Sequence, residues 1–506
     1  MEDPSRAQRI SALMSRVRSR DTMPEKLFRS ALRQAGIRFR SSVSELPGKP
    51  DVVIPSRRMA VFVDGDFWHG RQWQTRHHAS LEGQFENSGS REYWLTKIRR
   101  NMARDLANTS ALLDAGWSVA RFWESEVQRD AAGCVDKLSR TPLPSRVADR
   151  TVAEFFAGIG LVRYAFERQG WRVAFANDID PKKQQMYQAH FGDDFVVGDV
   201  HRLDPASVPA VTLATASFPC TDLSLAGARK GLAGRHSSAF WGFLSVLEGM
   251  GTRRPPLLLI ENVPGFLSSN CGSDLHEALV RLNALGYAVD MFMLDAAHFV
   301  PQSRSRLFVV GLAETPQVSQ TGTRTGSVQA FVERHPDIRW CLRRLPPPPQ
   351  TTSKLRDIVD NDAAWWERER SEYLLSQMVG SHLEVAKQAI ARRRWTYGTV
   401  FRRVRNGRTV AELRTDGIAG CLRTPRGGSA RQILFKAGYG RYNCRLLTGR
   451  ECARLMGADE YRIEVPANQA LFGFGDAVCV PAIEWIVTHY FLPLCNELIR
   501  GSVLIR

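Results

Sequence analysis

The chain has 506 residues, too many for one ordinary core, and its 43% hydrophobic and 24% charged residues are those of a globular protein of about two to four domains. Lys and Arg number 69 against 52 Asp and Glu, a formal net charge of +17 that draws polyanions by Coulomb attraction and counterion release, so nucleic acid is the expected partner. No uninterrupted apolar run approaches the roughly 18 residues of a membrane span, and the Arg-rich N-terminus lacks the apolar core of an export signal, which excludes a membrane partner and predicts a cytoplasmic location.

Residues 7–36 predict two helices. The second opens at Asp21-Thr22 with Pro24 in its first turn, carries Leu27, Phe28, Ala31, Leu32 and Ala35 on one face, and stops at Gly36. Strands at 51–54 and 59–63, a helix over 91–115 and a strand at 117–123 complete a compact α/β unit, assigned to residues 1–140. Thr141-Pro142-Leu143-Pro144-Ser145 breaks both periodicities, so 141–150 is expected to be a linker. From Thr151, strands (151–156, 172–178, 195–197, 257–261) alternate with helices ending near Gln169 and His190, which predicts a doubly wound, mostly parallel, Rossmann-like sheet. The pattern fails after Gly311, through Pro346 to Pro349 and an Arg-rich stretch at 392–408, and resumes near Leu446. A smaller domain is therefore expected at 318–440, inserted between sheet-bearing segments 151–317 and 441–506. Nine scattered cysteines, odd in number and never spaced Cys-x-x-Cys, suit free thiols in a reducing compartment.

Glu154-Phe155-Phe156-Ala157-Gly158-Ile159-Gly160 lies at a strand-to-helix turn, where glycines let the backbone approach a ligand. One strand later Asn177-Asp178-Ile179-Asp180 offers a carboxylate for ribose hydroxyls, and Gly198-Asp199-Val200 a third-strand acid for an adenine amine. Phe218-Pro219-Cys220 presents a thiol on a loop stiffened by proline, and Glu261-Asn262-Val263 ends another strand. Both belong to the carboxyl edge of the sheet, where doubly wound folds bind ligands.

This order, with Gln302-Ser303-Arg304-Ser305-Arg306, the block from Arg445 to Gly457 and the final Gly475-Asp476-Ala477-Val478, resembles the cytosine-5 DNA methyltransferase family over about 151–499. The resemblance implies S-adenosylmethionine held by Phe156, Gly158, Gly160, Asp178, Ile179 and Asp199, with help from Asp476, Ala477 and Val478. It implies Cys220 as the nucleophile that adds to C6 of a cytosine flipped out of duplex DNA, Glu261 on the N3 and amino edge, and Arg304 and Arg306 steadying the base. The chain departs from the pattern at Leu161, where the family often has another glycine, and at Asp476, where it often has asparagine. Sequence preference is expected in the inserted domain, where Arg402, Arg403, Arg423 and Arg426 suit phosphates or guanine edges.

In the N-terminal unit, Asp51 and Asp64 bracket a predicted hairpin, and two such carboxylates can hold magnesium against a phosphate. Phe67-Trp68-His69 sets two large aromatics, suited to wedging a base step, beside an imidazole able to activate water. The run Leu46 to Val53, with Gly65 to His69 and Arg91 to Leu95, resembles the very-short-patch mismatch repair endonucleases over about 7–137, a restriction-endonuclease-like fold. That family nicks beside the T·G mismatch left by deaminated 5-methylcytosine. The resemblance implies Asp51 as metal ligand, His69 as general base, Glu25 as helper, and Phe67, Trp68 and Trp94 as wedges. Positions that hold structural zinc in members of that family read Asp66, Arg71, Trp73 and Ser125, so no structural zinc is expected. Asp64 stands where a histidine is usual, which leaves open a restriction nuclease cutting unmethylated sites by two-carboxylate chemistry. A catalytically silent DNA-binding module is the third option, and the oligomeric state stays open, a monomer included.

Overall fold

The computed structural model describes residues 21–41, 43–115, 117–140, 147, 149–218, 238–313, 322–324, 326–405, 407–424 and 431–501. The first predicted helix, most of the expected linker, Pro219, Cys220 and Arg426 lie outside them. The chain divides into two compact units, residues 1–149 with 495–506 and residues 150–494, taken separately below.

In the first unit a helix, Met23–Gln34, starts where the sequence predicts. Thr22 Oγ1 accepts from Glu25 N, Pro24 fills the first turn, and Gly36 takes a left-handed φ of 70° just beyond the end. Phe28, Ala31 and Leu32 are buried with Ile54, Val61, Phe122 and Val135, whereas Leu27, expected on the same face, is exposed. The sheet has the order β1 (Arg40–Ser41), β2 (Val52–Ile54), β3 (Met59–Asp64), β4 (Ser118–Trp123). The first three strands are antiparallel and β4 runs parallel to β3, which sets Arg121 opposite Phe62 and Trp123 opposite Asp64. Two helices, Arg91–Asp114 and Glu124–Arg140, flank β4 in sequence.

The second unit holds a seven-stranded sheet. Its strands are β5 (Thr151–Phe155), β6 (Arg172–Asp178), β7 (Val196–Val197), β8 (Leu213–Ala216), β9 (Leu257–Asn262), β10 (Ala288–Asp295) and β11 (Ser305–Leu312), in the order β10-β11-β9-β8-β5-β6-β7. β5 to β9 are parallel, and β11 enters antiparallel between β9 and β10. Strand order reverses between β5 and β8, the switch point at whose carboxyl edge such folds open a ligand crevice. Phe155, Phe243, Leu258, Ile260 and Val309 belong to a single core. The final helical stretch, Ala467–Leu498, qualifies the expectation that no segment has membrane-spanning character, because it is long and apolar enough by length and composition. It is a core element here: Ile486, Val487, Tyr490 and Phe491 are buried, and the Phe491 ring meets Phe166 and Trp171.

A second, antiparallel sheet, β12 (Thr396–Arg405), β13 (Arg408–Arg414), β14 (Ile433–Gly438) and β15 (Arg441–Leu446), is ordered β13-β12-β14-β15 around a core of Val400, Ala411, Ile433 and Phe435. Its last strand, paired with β14 over six residues, falls beyond residue 440, where the sequence reading ends the insertion.

Gly160 shows how tightly the first turn of the large sheet is made. It precedes helix Leu161–Arg168 with φ 79°, and an added Cβ would lie 2.5 Å from the Phe191 ring and 2.7 Å from that of Tyr187. Both rings sit in one buried cluster, so neither yields freely. Gly160→Ala should lower the stability of this unit by about 1–3 kcal/mol. Equal thermal unfolding of wild type and variant would refute it.

Candidate active sites

The turn after β5 is oriented from β6. Asp178, buried at the end of that strand, accepts from Gly158 N (2.9 Å) through one oxygen and from Asp180 N (3.0 Å) through the other. Phe156 and Gly158 hold left-handed φ of 55° and 59°. A Cβ at Gly158 would find nothing nearer than a carbonyl at 4.0 Å, so the turn leaves room there for a ligand to approach the backbone. Asp199 is half-buried after β7 and caps the next turn through His201 N (3.0 Å). Ile179 is exposed, with its side chain free to cover a ring. Asp476 accepts from Thr424 Oγ1 and faces Lys183 Nζ at 3.2 Å, while Ala477 and buried Val478 follow it. Lys183, which sequence reasoning missed, also lies 4.0 Å from Asp178, so one ammonium joins two of the expected cofactor loops. Burial opposes that charge, but Asp178 and Asp476 outweigh it and raise the Lys183 pKa above its ordinary value. Open backbone at Gly158, an oriented carboxylate and an exposed apolar side chain together fit a nucleoside cofactor.

At the carboxyl edge of β9, buried Glu261 Oε1 meets Arg306 Nε at 2.8 Å. Arg304, expected to act with Arg306 on the base, is placed otherwise. It is 3% exposed, and its guanidinium donates to the carbonyls of Leu422 (2.8 Å), Gly475 (3.2 Å) and Ala477 (2.6 Å), bracing two loops rather than facing a substrate. Arg304 NH1 lies 3.4 Å from Cys421 Sγ. Burial pushes that thiol up, but Arg304, Arg306 and Arg423 together pull it below the ordinary cysteine value, a measure of how positive this edge is. Buried Gln302 ties the same loop, accepting from Leu422 N (3.0 Å) and donating to Leu455 O (2.7 Å). Cys220, the expected nucleophile, is outside the described residues.

The expected DNA-contacting arginines separate by strand parity. Phe401 and Arg403 share a face of β12 with Glu412 of β13, and the guanidiniums of Arg403 and Arg423 lie 5.3 and 5.6 Å from the Phe401 ring. Arg403 is also held by Glu412 at 3.1 Å. Arg402 is correspondingly on the other face, paired in register with buried Ala411, so it does not join that cluster.

The N-terminal constellation converges more closely, with one exchange of partners. Asp64 does not stand free beside Asp51 as a second metal carboxylate: both its oxygens are taken by Arg121, from Nε and NH2, at 2.6 Å each. The same arginine reaches Asp105 at 3.4 Å, and Asp105 accepts a hydrogen bond from His69 Nδ1, which leaves Nε2 as the ring nitrogen able to accept a proton. Sequence reasoning missed Asp105 and Arg121, although a lone arginine in the apolar strand Ser-Val-Ala-Arg-Phe-Trp signals a buried partner. Asp51 Oδ2 accepts from Val63 N (2.8 Å). Burial raises the Asp51 carboxyl from 3.8 to about 7, with Glu25 and Asp64 adding to it and the Val63 hydrogen bond opposing. Glu25 is buried, its carboxylate fixed by Asp21 N and Thr22 Oγ1 at 2.9 Å each. An oxygen-only donor set around an under-compensated carboxylate fits magnesium, which binds through one or two carboxylates and keeps several waters.

Phe67, Trp68 and Trp94 form one half-buried aromatic group with ring centroids 5.0–6.0 Å apart, and Lys97 Nζ lies 5.2 Å from the Trp68 ring. Asp66, where the sequence resemblance leads to no expected zinc, accepts from Ser125 Oγ (2.9 Å) and Ser125 N (3.0 Å). Arg71 lies 3.1 Å from Glu126 and 5.2 Å from the Trp123 ring.

The doubly wound sheet with its open turn belongs to one unit, and the His–Asp pair with its under-compensated carboxylate to the other, so the chain carries two separate candidate sites. The sequence pattern of the C-5 cytosine-specific DNA methylases matches residues 150–491, and that of the DNA mismatch endonuclease Vsr matches 3–75. Type II methyltransferase M.NgoBI of Neisseria gonorrhoeae is 27% identical over 333 residues, 65% of this chain and 90% of its own. Type II nicking enzyme V.XorIIP of Xanthomonas oryzae pv. oryzae is 44% identical over 127 residues, 25% of this chain and 88% of its own, and V.NmeDIP of Neisseria meningitidis serogroup C is 38% identical over 121 residues, 24% and 77%. The chain belongs to the C-5 cytosine-specific DNA methylase family and carries, fused at its N-terminus, a Vsr-like nicking endonuclease domain.

The raised Asp51 pKa has a signed consequence. Without a cation, the protonated carboxyl favours the folded state. That contribution is complete below the unfolded value near 3.8 and is lost as pH rises through about 7. In metal-free full-length protein, Asp51→Asn should therefore gain stability relative to wild type between pH 5 and pH 8, and parallel unfolding profiles across that range would contradict the assignment.

Proposed function

We propose that residues 150–494 methylate carbon 5 of a cytosine in a specific duplex DNA sequence, with Cys220 as covalent nucleophile, and that the N-terminal domain nicks DNA at T·G mismatches. The Glu261–Arg306 pair, at the edge where the cofactor turn also opens, is the observation that carries the first part. S-adenosylmethionine supplies the electrophilic methyl group when bound. Gly158, Gly160, Asp178 and Asp199 would hold its nucleoside end, with Phe156, Ile179, Asp476, Ala477 and Val478 contributing. The target base leaves the stack, since C6 is inaccessible within the duplex. The Cys220 thiolate adds to C6, which makes C5 nucleophilic. Glu261, steadied by Arg306, binds the N3 and amino edge and stabilises charge developing on the ring. Once C5 is methylated its proton passes to water, the C–H electron pair re-forms the C5–C6 double bond, and the C6–sulfur bond breaks to release Cys220 as thiolate. Arg304 acts through the loops that it braces. Arg403 and Arg423 meet DNA phosphates on the Phe401 face of the inserted sheet.

For the N-terminal domain, the His69–Asp105 pair supports a hydrolytic role over silent binding, because Asp105 fixes the imidazole and leaves Nε2 to take a proton from water. Asp51, with Glu25 nearby, would hold a magnesium ion, whose chemistry there would be to polarise the scissile phosphate. The loss of Asp64 to Arg121 argues against two-carboxylate restriction chemistry. Phe67, Trp68 and Trp94 wedge the mismatched step. One chain then both makes the lesion-prone base and begins its correction.

Three duplexes with magnesium separate the alternatives: one with a T·G mismatch in the methylation context, one unmethylated, one methylated. We expect a nick only in the mismatched duplex; cutting only of unmethylated DNA, or of none, overturns the assignment. Asp51→Ala should abolish nicking and leave methyl transfer intact. Glu261→Gln should reduce methyl transfer by about 10²- to 10³-fold and leave nicking intact. Joint loss of both activities in either folded variant contradicts two separate sites.

A further inference from the structure

We propose that His276, His335 and Asp337, none of them a residue of either candidate active site, form a binding site for a divalent transition-metal ion of the zinc class. His276 projects from helix Ser273–Ala284, His335 directly follows helix Gly326–Arg334, and Asp337 comes two residues later. One ligand atom from each residue can be chosen so that all three lie within 4.8 Å of one another. The His276 Nε2 to Asp337 Oδ2 distance is 2.7 Å, and the two imidazole centroids are 4.5 Å apart at 31°.

Two imidazole nitrogens and one carboxylate oxygen select zinc, nickel or copper over magnesium or calcium, which prefer all-oxygen ligands. Metal–ligand bonds of about 2.0–2.2 Å place tetrahedral ligand atoms about 3.4 Å apart. Asp337 needs to back away slightly and the widest gap needs to close. Side-chain rotation suffices for both, since the His276 and Asp337 side chains are 33% and 55% exposed. A simple surface ion pair accounts for His276 and Asp337 but not for a second imidazole packed 4.5 Å away. His335 is held in place: its ring packs on Phe331 at 4.4 Å, and its carbonyl accepts from Trp340 Nε1 at 2.9 Å. Arg334, the adjacent cation, turns its Nε back to Ala330 O at 3.0 Å.

The ion would tie together chain segments 61 residues apart. One is the helix reached from Glu261 through Pro264–Gly272, and the other is the segment that follows helix Gly326–Arg334. It is a clamp on the wall of the methyltransferase unit, with its remaining coordination positions open to water.

The test uses full-length protein stripped of metal by chelator. Titration with Co2+ should produce the visible absorption of imidazole–carboxylate coordination, and Zn2+ should displace it and raise the unfolding temperature. His276→Ala/His335→Ala should lose one bound ion and the thermal shift while keeping methyl transfer, and Asp337→Asn, on an exposed residue, should weaken binding by about tenfold or more. The proposal is overturned if wild type takes up no Co2+, or if both variants bind it with wild-type affinity, which would place the ion elsewhere.

Discussion

The ion pair between Glu261 and Arg306 is the constraint around which the methyltransferase edge is arranged. Carboxylate and guanidinium are both drawn largely out of water, and their 2.8 Å contact offsets much of what each loses there. The pairing is a product of topology. A parallel strand in the place of β11 would carry its first residues to the opposite edge of the sheet. Because β11 runs antiparallel to β9, its N-terminal end, with Arg304 and Arg306, meets the carboxyl end of β9, where Glu261 stands. Arg304 then extends the same positive charge inward as a strut, satisfying carbonyls of the loops that carry Leu422, Gly475 and Ala477.

The N-terminal domain obeys the same rule of paired burial and breaks it at one place. Asp64, Arg121, Asp105 and His69 form a compensated chain in which each charge has a partner. Asp51 has one backbone N–H and two nearby carboxylates, and burial leaves it reluctant to ionise. A cation is the natural complement of that deficit, which is why the proposed chemistry centres on Asp51 and not on Asp64. Phe67, Trp68 and His69 follow closely on β3, and Trp94 joins the aromatic group from helix Arg91–Asp114.

Much of this was legible in the sequence wherever local chemistry dictates structure. Thr22, Pro24 and Gly36 bound a helix by capping and backbone geometry alone, and the glycines of the 154–160 turn announce a close backbone approach. The unread parts are contacts across long sequence separations. Arg121 reaches Asp64 over 57 positions, so an acid read as a metal ligand turned out to be an ion-pair partner. Arg304 meets carbonyls more than 110 residues away, which no local pattern encodes. β8, Leu-Ala-Thr-Ala, the strand that the sequence places before Phe218, is only four residues long, buried throughout, and forms the centre of the sheet. Arg402 and Arg403 look equivalent in an arginine-rich run, and only the two-residue period of β12 separates a core-side residue from a surface one.

The central claim is covalent: sulfur at position 220 adds to a cytosine extruded from duplex DNA, with Glu261 and Arg306 holding the base. Its most direct measurement is trapping of the full-length protein, with S-adenosylmethionine, on a duplex carrying 5-fluorocytosine at the target position, where the departing C5 hydrogen is replaced by fluorine. The account predicts a denaturation-resistant protein–DNA adduct for wild type and none for Cys220→Ser. Absence of an adduct in active wild-type protein, or full turnover by Cys220→Ser, would contradict it.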